Sequence, residues 1–396
     1  MPTYRAVPDD RVDEFRGILQ YAFRPAETPT SYESIEELPG PARLGVRRGM
    51  FDGDDLLCTG VHHWFTATVR DTEHPLAGLS GVATPPENRR RGLVADLLHE
   101  SLVEYREKGY YLSALWPFAY AFYRRYGWAQ AGTTATVECD PEVLSFTADA
   151  DGGRFRELGP DDFERLNPVL DAAGEGVSLW IRRTEEWWRN RVFEGWEQDP
   201  YVYGVEREGE LRGYVVYEVE NDDGRTMRVR ECNALDHEAS LDLLRFLSYH
   251  DSQVERVRIR SRPDTLLFDL VDDPRALDYE LTPGGMVRIV DVGAALAALD
   301  YPEVEGRLVL SVADPVADWN DDTFALDVRA GEATCTRVDE PADANVPITT
   351  LSQLFVGHFS VERATVAGDL AIESESTEAL LDELFPPREV CLSEGF

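Results

Sequence analysis

The fold is decided by residues 79–94, which have the sequence Leu-Ser-Gly-Val-Ala-Thr-Pro-Pro-Glu-Asn-Arg-Arg-Arg-Gly-Leu-Val. An apolar strand leads into a proline-containing turn, three arginines and a glycine, and an amphipathic helix follows. The first N–H groups of a helix lack partners within it and form the positive end of its dipole, and glycine lets a ligand come close. The segment therefore predicts a pyrophosphate-like anion site; the alternative is a surface turn whose arginines pair with carboxylates.

Helix and strand patterns alternate around this segment. Apolar residues at helical spacing predict helices over residues 11–23 and 92–107, and an aromatic helix over 118–126. Apolar stretches predict strands over residues 56–69, 77–83 and 111–115.

The length and composition of the chain indicate several folded domains. It has 396 residues, 43% of them hydrophobic and 10% aromatic, which excludes a disordered chain. Polar, glycine-rich stretches at residues 149–153 and 282–285 divide it into predicted domains 1–148, 149–284 and 285–396. The first stretch faintly resembles a calcium loop but lacks the closing acid, so it is interpreted as a linker.

The charge is strongly negative, with 75 acidic against 39 basic residues for a net charge of −36. Lys108 is the only lysine, and the other basic residues are arginine. An acidic, lysine-poor surface is typical of proteins that work in molar salt, where charge repulsion is screened. The alternative is a surface that captures cationic partners. A general nucleic-acid binder is excluded because it needs a basic face.

The cysteines, the histidines and the hydropathy of the chain indicate its cellular compartment and whether it has a membrane segment or a metal site. Five cysteines lie far apart without a CxxC pair, which favours a reducing cytoplasm. Neither a signal peptide nor an apolar run of about 18 residues is found, so we expect no membrane segment. The pair His62-His63 points to opposite faces of a strand, and we expect no metal site.

The anion turn resembles the acetyl-coenzyme A signature of the GNAT acetyltransferases, Q/R-x-x-G-x-G/A, with Arg89, Gly92 and Val94 at its fixed positions. Val94 departs from the small residue that is usual at this position. In having a hydrophobic residue after RRRGL, the segment resembles the mycobacterial Eis acetyltransferases. The resemblance implies that the end of the preceding strand binds the pantetheine arm and that the turn wraps the pyrophosphate. The implied cosubstrate-binding residues are Val82, Ala83, Thr84, Arg89, Arg90, Arg91, Gly92, Leu93, Val94, Ala95 and Phe118.

A second match lies in residues 121–128, Ala-Phe-Tyr-Arg-Arg-Tyr-Gly-Trp. They resemble the aromatic helix and F/Y-G-W/Y turn of the same fold, which implies that Tyr123 protonates the departing thiolate. A phenol with a pKa of about 10 is protonated at neutral pH and suits this role. The alternative is a tyrosine that only packs under the sheet. Residues 116–119, Trp-Pro-Phe-Ala, depart from the Ser-Glu pair of the mycobacterial relatives.

The middle of the chain repeats the order of strands and helices but lacks the arginines and the glycine of the anion turn. Strands are predicted over residues 201–205, 211–219 and 227–231, and a helix over 239–249. The connecting turn, residues 233–238, has no glycine or arginine and would repel a pyrophosphate, so this part resembles the inactive second domain of the Eis family. Arginines occupy alternate positions in residues 256–262. We expect them to pair with neighbouring acids or to form an interface; the alternative is a basic stripe that binds nucleic acid.

The last part resembles the sterol-carrier-protein-like domain that ends Eis proteins, with lipid binding as the alternative to a scaffold. In that family the terminal carboxylate is the general base, which implies that role for Phe396. A free α-carboxylate has a pKa of about 3.5, so burial, with Glu394 close by, would have to raise it.

These observations predict an α+β protein: tandem GNAT-like domains, then a sterol-carrier-protein-like α/β domain. The resemblance implies an N-acetyltransferase with acetyl-CoA as cosubstrate and no metal. It also implies amine acceptors of the polyamine or aminoglycoside type, attacked directly in a ternary complex, and a homohexamer. The alternatives are a protein lysine or N-terminal acetyltransferase, and a non-enzymatic acyl-CoA or lipid-binding module.

Overall fold

The computed structural model describes residues 2–147, 152–221 and 224–396. The predicted linker and calcium-loop resemblance at 149–153 falls largely outside these residues. The first part of the chain forms strands β1 (Thr3–Ala6), β2 (Val46–Asp52), β3 (Asp55–Val69), β4 (Thr72–Ala83), β5 (Leu112–Leu115) and β6 (Ala129–Gln130), and helices α1 (Val12–Phe23), α2 (Gly40–Arg43), α3 (Leu93–Glu107) and α4 (Tyr120–Arg124).

The middle part forms a second set of elements. Its strands are β7 (Thr133–Cys139), β8 (Arg154–Glu157), β9 (Val177–Ser178), β10 (Trp180–Ile181), β11 (Tyr201–Arg207), β12 (Glu210–Asn221), β13 (Arg225–Ala234), β14 (Arg256–Ser261) and β15 (Asp278–Pro283). Its helices are α5 (Phe163–Ala173), α6 (Glu185–Trp187), α7 (His237–Ser248) and α8 (Leu267–Leu270).

The last part completes the chain. Its strands are β16 (Met286–Ile289), β17 (Gly306–Ala313), β18 (Asp322–Arg329), β19 (Glu332–Arg337), β20 (Ala344–Pro347), β21 (Ala371–Ile372) and β22 (Glu389–Val390). Its helices are α9 (Val292–Ala298), α10 (Ile348–Val356), α11 (Val361–Ala367) and α12 (Glu375–Leu384). The mixed helix and strand content predicted from the sequence is confirmed.

Three large sheets organise these elements, and two of them exchange strands. The first has the order β1-β2-β3-β4-β5-β16-β6, with β10 paired to β3. The second has the order β15-β7-β14-β13-β12-β11-β8, and the third β19-β18-β17-β20-β21. Strand β7 lies before the predicted boundary at residue 148 yet belongs to the second sheet, and β16 lies after 284 yet belongs to the first. The division into residues 1–148, 149–284 and 285–396 remains a prediction. The sheets do not follow its boundaries at β7 and β16.

A buried ion pair joins the first and third sheets. Arg288 of β16 donates to Asp314 just after β17 at 2.6 Å, and both side chains are fully buried. Arg288 also donates to the carbonyl of Tyr126. A Cβ at Gly127, which has φ of +88°, would overlap the Arg288 guanidinium, so the glycine of the aromatic turn is required for this contact. The pair helps to hold β16 in its place between β5 and β6 of the first sheet.

The alternate arginines of β14 pair mainly with acids. Arg256 lies 3.2 Å from Asp140, Arg258 2.6 Å from Glu138, and the guanidinium of Arg262 3.3 Å from Glu389. These contacts favour the predicted pairing with neighbouring acids over a stripe for nucleic acid.

Candidate active site

Strands β4 and β5 separate at the point where the sequence predicted a ligand. They pair in parallel from Leu76 opposite Leu112 to Leu79 opposite Leu115, but β4 continues to Ala83. Gly81 has φ of +58°, and the register of β4 against β3 shifts at the same place. Beyond Leu79 the edge of β4 that faced β5 has no strand partner, so its backbone groups there are available to a ligand.

The residues after this strand form the predicted turn. Gly92 caps α3 with φ of +83°, and Arg90 also has positive φ, at 60°. The N–H groups of Leu93, Val94 and Ala95 lie in the first turn of α3 and have no earlier helical carbonyl to bond.

The three arginines of the turn are exposed and lack carboxylate partners. Arg89 donates to the carbonyl of Thr84 at 3.1 Å, and Arg91 donates to Asn88 Oδ1 at 2.6 Å. None of the three forms an ion pair with any carboxylate that the structure describes, although the chain carries 75 acidic residues. The hydroxyl of Thr84 is buried without a hydrogen-bond partner. These features favour the anion site over the alternative of a turn neutralised by neighbouring acids, and they fit a coenzyme A pyrophosphate.

One cavity of about 580 Å³ brings four of the sequence-predicted residues together. Its walls include Val82, Phe118, Tyr123 and Phe396. Ala83 is buried and, like residues 89–95 of the turn, is not among the wall residues. Because Leu79 to Val82 line the cavity, it lies at the open end of the splayed strands.

Tyr123 points into this cavity from the short helix α4. Its ring packs edge-on against Phe118 and Phe122, with centroids 5.5 and 5.1 Å apart. Burial, and to a lesser degree the neighbouring thiol of Cys58, raises the pKa of Tyr123 above its ordinary value. The phenol is therefore protonated at neutral pH and has a proton to donate.

The ring of Phe396 is held inside the first sheet. It lies 5.0 Å from the ring of Phe65 and 5.4 Å from that of His63. A Cβ at Gly78 would lie 2.9 Å from Phe396 Cε2 and 2.6 Å from Phe65 Cε2, so only glycine leaves room for the two rings. Phe396 is thereby anchored in the wall of the cavity that Tyr123 also lines.

The residues before Phe396 are tied to the second domain. Glu394 is buried and accepts hydrogen bonds from Arg183 Nε at 2.6 Å and Trp187 Nε1 at 2.8 Å, while its carbonyl accepts one from Trp116 Nε1 at 2.7 Å. Arg191 Nε donates to the carbonyl of Gly395 at 2.8 Å. The tail is thus fixed at two consecutive residues directly before the terminal carboxylate.

Arg183 joins this tail to the second sheet. Its two Nη atoms donate to the carboxylate of Glu231 at 2.9 and 2.7 Å, and its side chain is only 3% exposed. Burial alone would raise the pKa of Glu231, but the attraction of Arg183 outweighs it and holds that pKa below its ordinary value. A buried arginine therefore lies between two carboxylates, Glu231 on β13 and Glu394 in the C-terminal segment.

His63 is a cavity residue that sequence reasoning missed. Its Nε2 lies 2.9 Å from Ser80 Oγ, and burial lowers its pKa to about 3, so the imidazole beside Phe396 is neutral. His62 points to the opposite face, where its Nε2 lies 3.0 Å from Ser101 Oγ. The alternation was expected, but only the position of Phe396 shows which histidine faces the cavity. Within the described ranges no group of three or more His, Cys, Asp or Glu side chains could hold a metal ion.

The corresponding turn of the second domain carries the opposite charge. Strand β13 pairs with β14 as far as Val229 opposite Ile259 and continues to Ala234, like β4 in the first sheet. Here Asp236 caps α7 by accepting from the N–H of Ala239 at 2.7 Å. A carboxylate occupies the place where the first domain offers N–H groups, which supports the interpretation of an inactive copy.

Comparisons with known proteins agree with this geometry. Models of the GNAT acetyltransferase domain match residues 3–131 and 179–289, and a sterol carrier protein domain model matches residues 292–393. An uncharacterised N-acetyltransferase of Streptomyces griseus is 31% identical over 92% of each chain. The N-acetyltransferase Eis of Mycobacterium tuberculosis is 28% identical over 91% of this chain and 90% of its own.

Solved structures show the same fold over the whole chain. A GCN5-related N-acetyltransferase from Anabaena variabilis superposes with a TM-score of 0.84 at 20% identity, and Eis1 from Mycobacterium abscessus with 0.74 at 23%, each covering 100% of both chains. In the described part of the chain no helix is both long and apolar enough to cross a membrane. The chain belongs to the Eis-like N-acetyltransferases, with two GNAT domains and a sterol-carrier-protein-like domain, and it uses acetyl-CoA as its cosubstrate.

Proposed function

We infer that the protein transfers an acetyl group from acetyl-CoA to the amine of a small molecule by direct attack in a ternary complex. The observation that carries this inference is that Tyr123 and Phe396 line one cavity at the open end of the splayed strands. The cavity of about 580 Å³ has the size that small-molecule sites usually have. It favours a small acceptor over the alternative of a protein lysine or N-terminus.

Each residue has one task in this proposal. The turn at Arg89 to Ala95 holds the pyrophosphate, and Val82, Ala83 and Thr84 accompany the pantetheine arm, with Phe118 beside it. The terminal carboxylate of Phe396 accepts the proton that the amine loses on attack. Tyr123 gives its proton to the sulfur as the thiolate leaves, and unpaired N–H groups of β4 polarise the thioester carbonyl.

We assign to the three parts of the chain the roles that were expected from the sequence. Residues 1–148 would contribute the catalytic domain, 149–284 an inactive copy and 285–396 a scaffold that delivers the tail. The five separate cysteines favour a reducing cytoplasm, and the acidic, lysine-poor composition favours a salt-rich one. A homohexamer is proposed by resemblance to the Eis family, and a polyamine or aminoglycoside-like acceptor is the expectation that the same resemblance carries.

The test is thiol release from acetyl-CoA in molar potassium chloride with a panel of amines. We expect wild type to release thiol and Tyr123→Phe to be slower by a factor of roughly 10²–10⁴, the usual contribution of a general acid. Tyr126→Phe is the matched control, because this tyrosine follows the same helix but does not line the cavity. If acetyl-CoA binds but no amine or lysine peptide releases thiol, the protein is an acyl-CoA-binding module instead.

A further inference from the structure

The acceptor side of the cavity is rich in arginine. Helix α1 and the segment after it form one wall of the cavity. The charged side chains of the cavity wall are Arg16, Arg24, Arg47, Arg191, Glu27 and Glu197. Basic side chains therefore outnumber acidic ones in this wall, whereas the whole chain has 75 acidic and 39 basic residues.

The two glutamates are already paired at the mouth of the cavity. Arg24 Nη1 lies 3.1 Å from Glu197 and 3.5 Å from Glu27. These carboxylates are 76% and 49% exposed, so they are solvated and engaged by the same arginine. Neither carboxylate forms an ion pair with the three deeper arginines of the wall, Arg16, Arg47 and Arg191.

Each of those deeper arginines lacks a close counter-ion. Arg47 is 8% exposed, and its carboxylate partner Asp9 lies 3.9 Å away and is largely in solvent. Arg16 forms no ion pair with any described residue, and its Nε is buried without a hydrogen-bond partner. Arg191 donates to the carbonyl of Gly395, next to the proposed base, and forms no ion pair within the described part of the chain.

Burial acts against the charge of all three side chains. It lowers the pKa of Arg16 and of Arg47, and it lowers that of Arg191 to about 10. Arg24 and Arg47 both add to the effect on Arg16, so the arginines of the wall repel one another. A buried cation without a partner is unfavourable, and an anionic group of a ligand would relieve it.

Aromatic and aliphatic side chains form most of the remaining wall. Phe15, Phe23 and Trp187 line it, and the Arg16 guanidinium lies 5.4 Å from the ring of Trp196. These rings offer surfaces against which an apolar frame of a ligand can pack.

We propose that the acceptor is a small-molecule amine that also carries an anionic group, a carboxylate or a phosphate, on an apolar frame. Arg16 and Arg47 bind the anionic group while the amine lies at the Phe396 carboxylate. This inference rests on the proposed acetyltransferase function, and it replaces the polyamine or aminoglycoside-like acceptor expected from the family resemblance with an anionic amine. A polyamine would place its positive charges against these arginines and leave them without counter-ions.

Two matched pairs of amines test the proposal. L-phenylalanine is compared with L-phenylalaninamide, and O-phosphoethanolamine with ethanolamine, with spermidine as the polycation. The measured quantity is the ratio of kcat/KM for the anionic member to kcat/KM for the neutral one. Dividing the ratio in a variant by that in wild type cancels the difference in intrinsic reactivity between the two amines.

We expect at least one pair to favour its anionic member in wild type and Arg16→Gln to lower that ratio about tenfold or more, the loss of one charge-assisted contact. Arg16→Lys should retain most of the preference, which separates charge from folding. Arg11→Gln, which removes an arginine paired with Glu14 just before α1, should leave the ratio unchanged.

Three results would overturn the proposal. Either spermidine and the neutral amines are preferred, or the ratio is the same in Arg16→Gln as in wild type. Alternatively, Arg16→Gln raises the KM for acetyl-CoA alone, in which case the arginines bind the cosubstrate. If no amine at all releases thiol, the proposed function fails together with this one, whereas preference for spermidine leaves the acetyltransferase intact.

Discussion

Arg183 offers the clearest test of how the C-terminal segment, which carries the proposed base, is held in place. Its guanidinium lies between the carboxylates of Glu231 and Glu394, at 2.7 and 2.6 Å, with side-chain exposures of 3%, 17% and 5%. Arg183→Gln removes the shared cation and leaves two buried carboxylates facing each other. Breaking a buried ion pair from one side destabilises a protein by about 3–5 kcal/mol, and we expect a loss of that size.

The adjacent residue supplies the control. Arg182 also forms an ion pair, with Glu73, but both side chains are about half exposed, at 52% and 53%. Exposed pairs contribute about 0–1 kcal/mol, so Arg182→Gln should change the free energy of unfolding by no more than that. The two variants remove the same side chain from consecutive positions and differ in burial.

The assay is urea unfolding at constant potassium chloride, followed by thiol release at saturating acetyl-CoA. Arg183→Gln should unfold at a clearly lower urea concentration, and its kcat should fall because Glu394 no longer fixes the tail. The KM for acetyl-CoA should change little, since the anion turn is elsewhere. Equal urea midpoints and equal kcat for the two variants would refute the account of the tail.

Three further outcomes are expected. Arg90→Gln should raise the KM for acetyl-CoA several-fold with little change in saturated kcat; a rise in the acceptor KM alone would argue against a phosphate contact. Gly78→Ala should destabilise by about 1–3 kcal/mol and lower kcat, because its Cβ would lie 2.9 Å from Phe396 Cε2. His63, with a folded pKa of about 3 and an unfolded one near 6.5, is protonated only in the unfolded chain between those values, so stability is lost as the pH falls below about 6.5. His63→Gln should therefore lose less stability than wild type between pH 7 and pH 5, and parallel urea midpoints would contradict this.

Local sequence predicted the parts of the site that are local in structure. The strand, turn and helix around Gly92 follow from apolar spacing and one glycine, and α3 spans Leu93–Glu107 where a helix was expected over 92–107. Tyr123 lies on a helix that is shorter than predicted, Tyr120–Arg124, because Gly127 adopts φ of +88° to admit Arg288. The element was therefore predictable, and its ends were set by a distant side chain.

Contacts between distant parts of the chain gave no such signal. Arg183 and Glu394 are 211 residues apart, and each looks like one more charge in an acidic chain. The pattern of β7 is apolar on alternate residues, which specifies a strand but not which sheet it joins. The group of arginines in the cavity wall was equally hidden, because Arg16, Arg47 and Arg191 are far apart in the sequence and come together only in the fold.

The central claim is that the last carboxylate of the chain is the catalytic base. Adding a single glycine after Phe396 keeps the aromatic ring in its place between Phe65 and His63 and moves the carboxylate by one residue. The kcat for thiol release, measured with acetyl-CoA affinity determined separately by calorimetry, should fall by about a hundredfold or more while the affinity stays the same. An unchanged kcat in the extended protein would show that another group removes the proton from the amine.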